Sequence, residues 1–117
     1  MTPRVVEEQA LDIANRFSFI SSVETTLRTP RTVTMRFRIT AQCFVQLYHN
    51  TQKPIVNYVL VLAGNRIFGR DCDGGKWHRH PFENPESHDF SLEGQVEVSF
   101  EEFLEEVRQI LVRMQIL

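Results

Sequence analysis

Apolar residues recur at helical spacing near both ends of the chain. After Thr2, a favourable N-cap residue that is followed by proline, four apolar side chains share one helical face: Val6, Ala10, Ile13 and Phe17. This pattern predicts a first helix over residues 3–16. A second amphipathic stripe follows the capping-box pair Ser99 and Glu102, and it predicts a second helix over residues 100–114.

Between the helices, apolar and polar residues alternate with the period of a half-buried strand. The cleanest run alternates four apolar residues with threonines and two arginines, Arg36 and Arg38. Short polar turns separate the runs, which favours antiparallel pairing and a sheet of about five strands. The predicted strands cover residues 22–27, 32–40, 44–48, 55–62 and 66–70.

The element order is α-β-β-β-β-β-long loop-α, which predicts an α+β fold with both helices on one face of an antiparallel sheet. A chain of 117 residues is long enough to bury a core of its own, so residues 1–117 are expected to form a single domain. Residues 71–95 show neither the helical nor the strand spacing of apolar residues, so they are expected to form a long loop. Loops of this length are uncommon in compact domains and tend to be functional.

Composition excludes few classes of function. Thirteen basic and fifteen acidic residues give a net charge of −2, so no global basic field requires a nucleic-acid partner. Only two cysteines occur, Cys43 and Cys72, and no apolar leader precedes them, which predicts a reduced, cytoplasmic protein. No apolar run approaches the ~20 residues of a membrane helix, so no membrane partner is expected.

The long loop carries most of the residues that could perform chemistry. It contains three of the four histidines and the only tryptophan. His78 and His80 are two apart, so in an extended segment both rings point the same way, with Trp77 and Arg79 on the other side. Two prolines precede His88 and make a folded-back loop plausible, so that the three histidines could converge.

Two kinds of catalytic site fit these residues. In the first, His78 and His80 act as general acid and base on a phosphodiester, with Arg66 and Arg70 stabilising the phosphate charge. Residues in and beside the loop would contact the substrate: Tyr58, Lys76, Trp77, Arg79 and His88. No cofactor is needed in that mechanism.

The second is a divalent-metal site formed by His78, His80 and His88, because neutral imidazoles are good zinc ligands. Nearby acids could supply a carboxylate ligand or a hydrogen-bond acceptor for a ligating histidine: Asp71, Asp73, Glu83, Glu86 and Asp89. A structural alternative is that the histidines only bond to carbonyl groups that a long loop would leave unpaired.

The stretch NYVLVLAGNRIFGRDCDGGKWHRHPFENPESHDF, followed by VSFEEFLEEVRQIL, resembles the TumE-type toxins of prokaryotic toxin–antitoxin pairs. The shared features are a strand containing tyrosine, the RIFGRD segment, a histidine-rich loop with His-Pro, and a terminal amphipathic helix. The resemblance covers roughly residues 33–114. The chain departs from the commoner pattern at Gly-Gly-Lys-Trp, where many relatives carry a run closer to Asn-Ala-Pro-His-His.

The resemblance implies a small toxin-like protein encoded beside an antitoxin, which in this family is often a helix-turn-helix DNA-binding protein. Combined with the histidines and arginines, it leads us to expect a ribonuclease-like toxin whose partners are an antitoxin protein and RNA. A non-catalytic protein-interaction module and a metal-dependent hydrolase remain as alternatives. A homodimer is compatible with each of them.

Overall fold

The computed structural model describes all 117 residues. Two helices and six strands follow one another along the chain: α1 (Pro3–Ala14), β1 (Ser22–Arg28), β2 (Thr32–Thr40), β3 (Cys43–Asn50), β4 (Ile55–Leu62), β5 (Asn65–Asp73), β6 (Lys76–His80) and α2 (Phe100–Arg113). The predicted α+β class, an antiparallel sheet with one N-terminal and one C-terminal helix, is confirmed. Neither helix is long and apolar enough to cross a bilayer.

The six strands form one antiparallel meander in chain order, from β1 at one edge to β6 at the other. Two-residue turns close three of its hairpins, and two of these turns have positive φ at both residues. Ala63 and Gly64 join β4 to β5 with φ angles of 51° and 80°, and Gly74 and Gly75 join β5 to β6 with 65° and 84°. Positive φ at both central residues is what a type I′ hairpin turn requires.

The sixth strand corrects the prediction of about five strands and of a loop without secondary structure over residues 71–95. β5 continues to Asp73, and β6 pairs with it directly after the Gly74–Gly75 turn. Sequence reasoning missed β6 because its run, Lys-Trp-His-Arg-His, has one hydrophobic residue and therefore lacks the apolar side by which strands are recognised. Of the predicted loop, only the Gly74–Gly75 turn and residues 81–95 remain outside helix and strand, with one isolated bridge at Asp89.

Both helices lie on one side of the sheet, which we call the helix face, and the opposite side is the open face. On β2, Val33, Met35 and Phe37 are fully buried on the helix face. Arg36 and Arg38 alternate with them and so lie on the open face, as their spacing predicts. The hydrophobic core is therefore confined to the space between the sheet and the two helices.

Phe103 packs α2 against strands β4 and β5 of the sheet. Ser99 and Glu102 form the predicted capping box and fix where the helix begins. One turn on, the Phe103 ring is completely buried, with its centroid 5.4 Å from the ring centroid of Tyr58 on β4 and 5.5 Å from that of Phe68 on β5. This cluster joins α2 to β4 and to β5, the strand that pairs with β6.

Replacing Phe103 with alanine should lower the free energy of unfolding by about 3–5 kcal/mol, the usual cost of deleting a fully buried aromatic ring. Urea unfolding followed by circular dichroism measures the change. Leu92→Ala is the control, because Leu92 is 89% exposed and its loss should change stability by less than about 0.5 kcal/mol. Equal effects of the two substitutions would contradict this description of the core.

Candidate metal centre

The Gly74–Gly75 turn determines which side chains meet at the open face of the β5–β6 hairpin. It pairs Asp71 directly with His78 and Gly69 directly with His80. The side chains of Asp71, His78 and His80 all lie on the open face, since residues directly opposite or two apart share a side of a sheet. A Cβ at Gly69 would lie only 3.2 Å from the carbonyl oxygen of Tyr58 on β4 and in ordinary contact, at 3.6 Å, with the His80 Cβ.

Three potential ligand atoms converge within this group. His78 Nε2 and His80 Nε2 are 3.2 Å apart. Asp71 Oδ2 lies 3.3 Å from His80 Nε2 and 3.5 Å from His78 Nε2. The side chains are 2%, 7% and 12% exposed for His80, His78 and Asp71, so water has little access to the space between them.

The hydrogen bond made by His80 Nδ1 determines whether Nε2 of the same ring carries a proton. His80 Nδ1 donates a hydrogen bond to the carbonyl oxygen of Pro85, at 3.0 Å. In the neutral ring Nε2 then carries a lone pair and no proton. That lone pair lies 3.2 Å from His78 Nε2, which donates to it when it carries the proton, and 3.3 Å from the Asp71 carboxylate, an acceptor with which it can share a cation.

Asp71 gives a second sign of a missing partner. Its Oδ1 atom is buried and has no hydrogen-bond partner, and the same is true of Oδ1 of Asn57, the residue paired with Asp71 on β4. Buried polar atoms without partners are rare in native proteins and call for an explanation such as a bound ion. A cation held by the carboxylate would compensate Asp71.

Burial shifts the acid–base equilibria of the group toward neutral forms. It raises the pKa of the Asp71 carboxyl to about 6, with the charge of Asp73 adding to the shift and Arg66 opposing it. Burial also lowers the pKa of His78 and that of His80, chiefly because the charged ring loses its hydration. Both imidazoles are therefore neutral at pH 7, and their contacts with Asp71 are not ion pairs.

His88 approaches from the connection that follows β6. Its ring centroid is 5.2 Å from that of His78 and 4.7 Å from that of His80, and the ligand atoms of the three histidines lie within 4.8 Å of one another. Unlike the other two, His88 is exposed. The connection is held in place at the next residue, where Asp89 forms a backbone bridge to Arg79 and accepts a 2.8 Å hydrogen bond from Arg79 Nε.

The group forms the floor of a cavity of about 400 Å³. Besides the three histidines and Asp71, its walls contain two cations, Arg66 and Lys76, together with Asp73 and Phe90. The Lys76 ammonium lies 4.8 Å from the centre of the Phe90 ring, a cation–π contact. The cavity therefore combines a buried cluster of lone pairs with positive charge at its walls.

Five of the nine residues that the sequence singled out line this cavity: Arg66, Lys76, His78, His80 and His88. Asp71 was one of five candidate carboxylates, and only the pairing of β5 with β6 distinguishes it from the others. Its position was readable in principle, because residues equally distant from a two-residue turn pair with each other. Phe90 was missed, since no sequence pattern places it near β6.

The other four residues lie on the helix face. Arg70 donates hydrogen bonds of 2.7 Å and 3.1 Å to the Glu106 carboxylate on α2 and one of 2.8 Å to the Glu93 carbonyl. Tyr58 is buried, which raises its pKa to about 12, and Trp77 packs beside it with ring centroids 6.2 Å apart. Arg79 bonds to Asp89. The structure thus separates Arg70, Tyr58, Trp77 and Arg79 from the histidines.

Comparison with known proteins adds no relative to this description. No protein-family model, no curated protein and no solved structure matches the chain.

Proposed function

We propose that Asp71, His78 and His80 bind one divalent transition-metal ion, zinc in the first instance, and that the site hydrolyses phosphodiester bonds. The observation that carries the proposal is the triangle of ligand atoms, with sides of 3.2, 3.3 and 3.5 Å. Tetrahedral zinc with bonds of about 2.0–2.1 Å holds neighbouring ligand atoms about 3.3–3.4 Å apart. The three atoms have the spacing of one face of that tetrahedron.

The surroundings of the triangle also suit a metal. Two imidazoles and one carboxylate are a ligand set of hydrolytic zinc sites. The hydrogen bond from His80 Nδ1 to the Pro85 carbonyl is the usual way in which a protein orients a ligating histidine. His78 Nδ1 faces the Asp73 carboxylate at 4.0 Å and could be oriented in the same manner.

A zinc ion held by these three ligand residues would keep a fourth ligand position for water or substrate, and His88 lies exposed at the same cavity. Zinc in such a site lowers the pKa of bound water to about 7 and polarises a bound oxygen. Arg66 and Lys76 are placed to hold the negative charge of a phosphodiester against the site. In hydrolysis the water oxygen joins phosphorus and the bond from phosphorus to the leaving oxygen breaks. His88 would accept the proton that the water loses and would return it to the leaving oxygen.

In the cell we propose a toxin-like role, regulated by an antitoxin protein. What supports this role is the position of the segments that resemble TumE-type toxins. RIFGRD contributes Arg66 and Asp71, and the His-Pro loop contributes the three histidines. Two of the four shared features thus contribute residues to the cavity, whereas the tyrosine-containing strand and the terminal helix contribute Tyr58 and Phe103 to the core.

The chain should bind one zinc ion per molecule after treatment with chelator and titration with Zn²⁺ in a calorimeter. Asp71→Asn, His78→Ala and His80→Ala should each weaken binding by about 100-fold or more, since loss of a residue that merely orients a ligand already costs about 10–100-fold. His49→Ala is the matched control, because His49 is the one histidine outside the cavity. Undiminished zinc binding in correctly folded His80→Ala protein would refute the ligand assignment.

The zinc-loaded protein should hydrolyse bis(4-nitrophenyl) phosphate, and chelation should abolish the reaction until zinc is restored. His88→Ala should keep the zinc stoichiometry but lower kcat by about 10²–10⁴, the usual contribution of a general acid–base group. Hydrolysis that survives chelation would instead favour direct acid–base catalysis by the histidines. Tight zinc binding without hydrolysis would favour a structural metal in an interaction module.

Induced expression in a bacterial host should arrest growth, and the double substitution His78→Ala, His80→Ala should relieve the arrest at a matched protein level. The reason is that both residues are ligands in the proposed site. Growth is measured beside that of cells expressing His49→Ala, which should remain toxic. Normal growth with the unaltered protein would count against the toxin role and leave the zinc proposal untouched.

A further inference from the structure

The open face of the sheet carries three arginines without carboxylate partners. Arg36 and Arg38 on β2 and Arg66 on β5 form no ion pair. Arginines on the helix face behave differently: Arg28 pairs with Glu7, Arg70 with Glu106 and Arg79 with Asp89. Glu24 on the edge strand β1 is paired with Arg36 in the strand register, but no ion pair joins the two side chains. The open face therefore offers cations that the protein itself leaves uncompensated.

Two of these guanidinium groups are held in place against an aromatic ring. The Cζ atoms of Arg36 and Arg38 lie 4.1 Å and 5.6 Å from the centre of the Phe44 ring. Arg36 Nη2 donates to Gln46 Oε1 at 3.2 Å, while Arg36 Nε has no partner. Because the two side chains are already ordered, a ligand that pairs with them loses less conformational entropy on binding.

Cross-strand rows connect this cluster to the proposed metal centre. One row runs from Arg38 through Phe44 and Val61 to Arg66, on the wall of the cavity. The next row runs from Arg36 across β3, β4 and β5 to His80. Neighbouring strands are about 4.8 Å apart, so β2 and β6 are separated by about 19 Å, which a few nucleotides can span.

A third row adds a second aromatic side chain. Tyr48 on β3 pairs with Asn57 on β4, which in turn pairs with Asp71. Tyr48 and Phe44 are both partly exposed on the open face. A sheet that presents aromatic rings beside cations binds single-stranded nucleic acid by stacking the bases and pairing the phosphates.

We infer that a single strand of nucleic acid lies across the open face, with its phosphates on Arg36, Arg38 and Arg66 and its bases stacked on Phe44 and Tyr48. The inference rests on the proposed function, since it names the substrate class of the same site. Its path leads the strand from β2 to the cavity, where a phosphodiester would meet Asp71, His78 and His80. Duplexes bind less well, because their bases are already stacked.

Fluorescence anisotropy with a labelled single-stranded RNA of about ten nucleotides, within the site size of a single-strand-binding domain, tests this inference. The double variant Arg36→Gln, Arg38→Gln should weaken binding at least about tenfold, and the slope of log K against log salt should fall by about 1.4, or about 0.7 for each phosphate that the variant no longer neutralises. Phe44→Leu should weaken binding by about five- to tenfold without changing the slope.

The control is the double variant Arg16→Gln, Arg108→Gln, which removes the same charge from the helix side. It is closely matched, because Arg108 also lies over a phenylalanine ring, 5.1 Å from the centre of Phe17. This variant should bind the RNA as the unaltered protein does. Equal weakening in both double variants would overturn the inference, and so would binding of duplex RNA as tight as that of the single strand.

A single-stranded DNA of the same sequence tests whether the bound strand is RNA or DNA. Weaker binding of the DNA identifies RNA as the ligand, recognised through its 2′-hydroxyl groups, and equal binding identifies single strands of either kind.

Zinc titration of the same variants separates the inference from the function on which it rests. Arg36→Gln, Arg38→Gln should keep full zinc affinity. If the unaltered protein neither binds zinc nor cleaves, but its RNA binding is lost in Arg36→Gln, Arg38→Gln and kept in the control, the open-face site is upheld and the proposed function is refuted. If the protein shows zinc-dependent hydrolysis but the arginine substitutions leave RNA binding unchanged, the proposed function is upheld and the open-face site is refuted.

Discussion

The pairing of β5 with β6 around Gly74 and Gly75 is the constraint on which the candidate site depends. Both glycines adopt positive φ, and a Cβ at Gly74 would meet no atom within 4 Å, so backbone conformation alone calls for glycine there. A two-residue turn places Asp71 opposite His78. A slip of one residue would move both histidines to the helix face and bring Trp77 and Arg79 onto the open face. The chemistry of the site is therefore set by the geometry of a turn that contains no functional group.

The sheet separates stability from chemistry by alternation along its strands. Arg70 and Asp71 are neighbours in sequence, yet Arg70 binds α2 on the helix face while Asp71 faces the histidines on the other. The same division holds on β6, where Trp77 packs towards the core and His78 towards the cavity. The aromatic and ionic contacts of α2 hold β4 and β5 without using any atom that the proposed metal needs.

Much of this architecture follows from the sequence, and the exceptions have physical causes. The helices and the strands β2 to β5 were predictable because each buries apolar residues, as Val33, Met35 and Phe37 do on β2. The edge strand β1 buries none, and it was predictable only from its alternation of period two. β6 escaped recognition because polar rings occupy one of its sides. The histidine cluster could be proposed from spacing, whereas the choice of Asp71 among several acids needed the strand register. Arg70 and Tyr58 were assigned to the site because sequence proximity does not reveal which face of a strand a residue occupies.

The bridge between Arg79 and Asp89 has a consequence for self-association. β6 is an edge strand, and its outward N–H and C=O groups are those that another chain could use to extend the sheet. The backbone of Asp89 occupies them at Arg79, with hydrogen bonds of 2.8 Å and 3.1 Å. The segment that brings His88 to the cavity thus also caps the sheet. Detaching it would remove His88 from the candidate site and expose a strand edge to intermolecular pairing, so loss of the proposed activity and aggregation would share one structural origin.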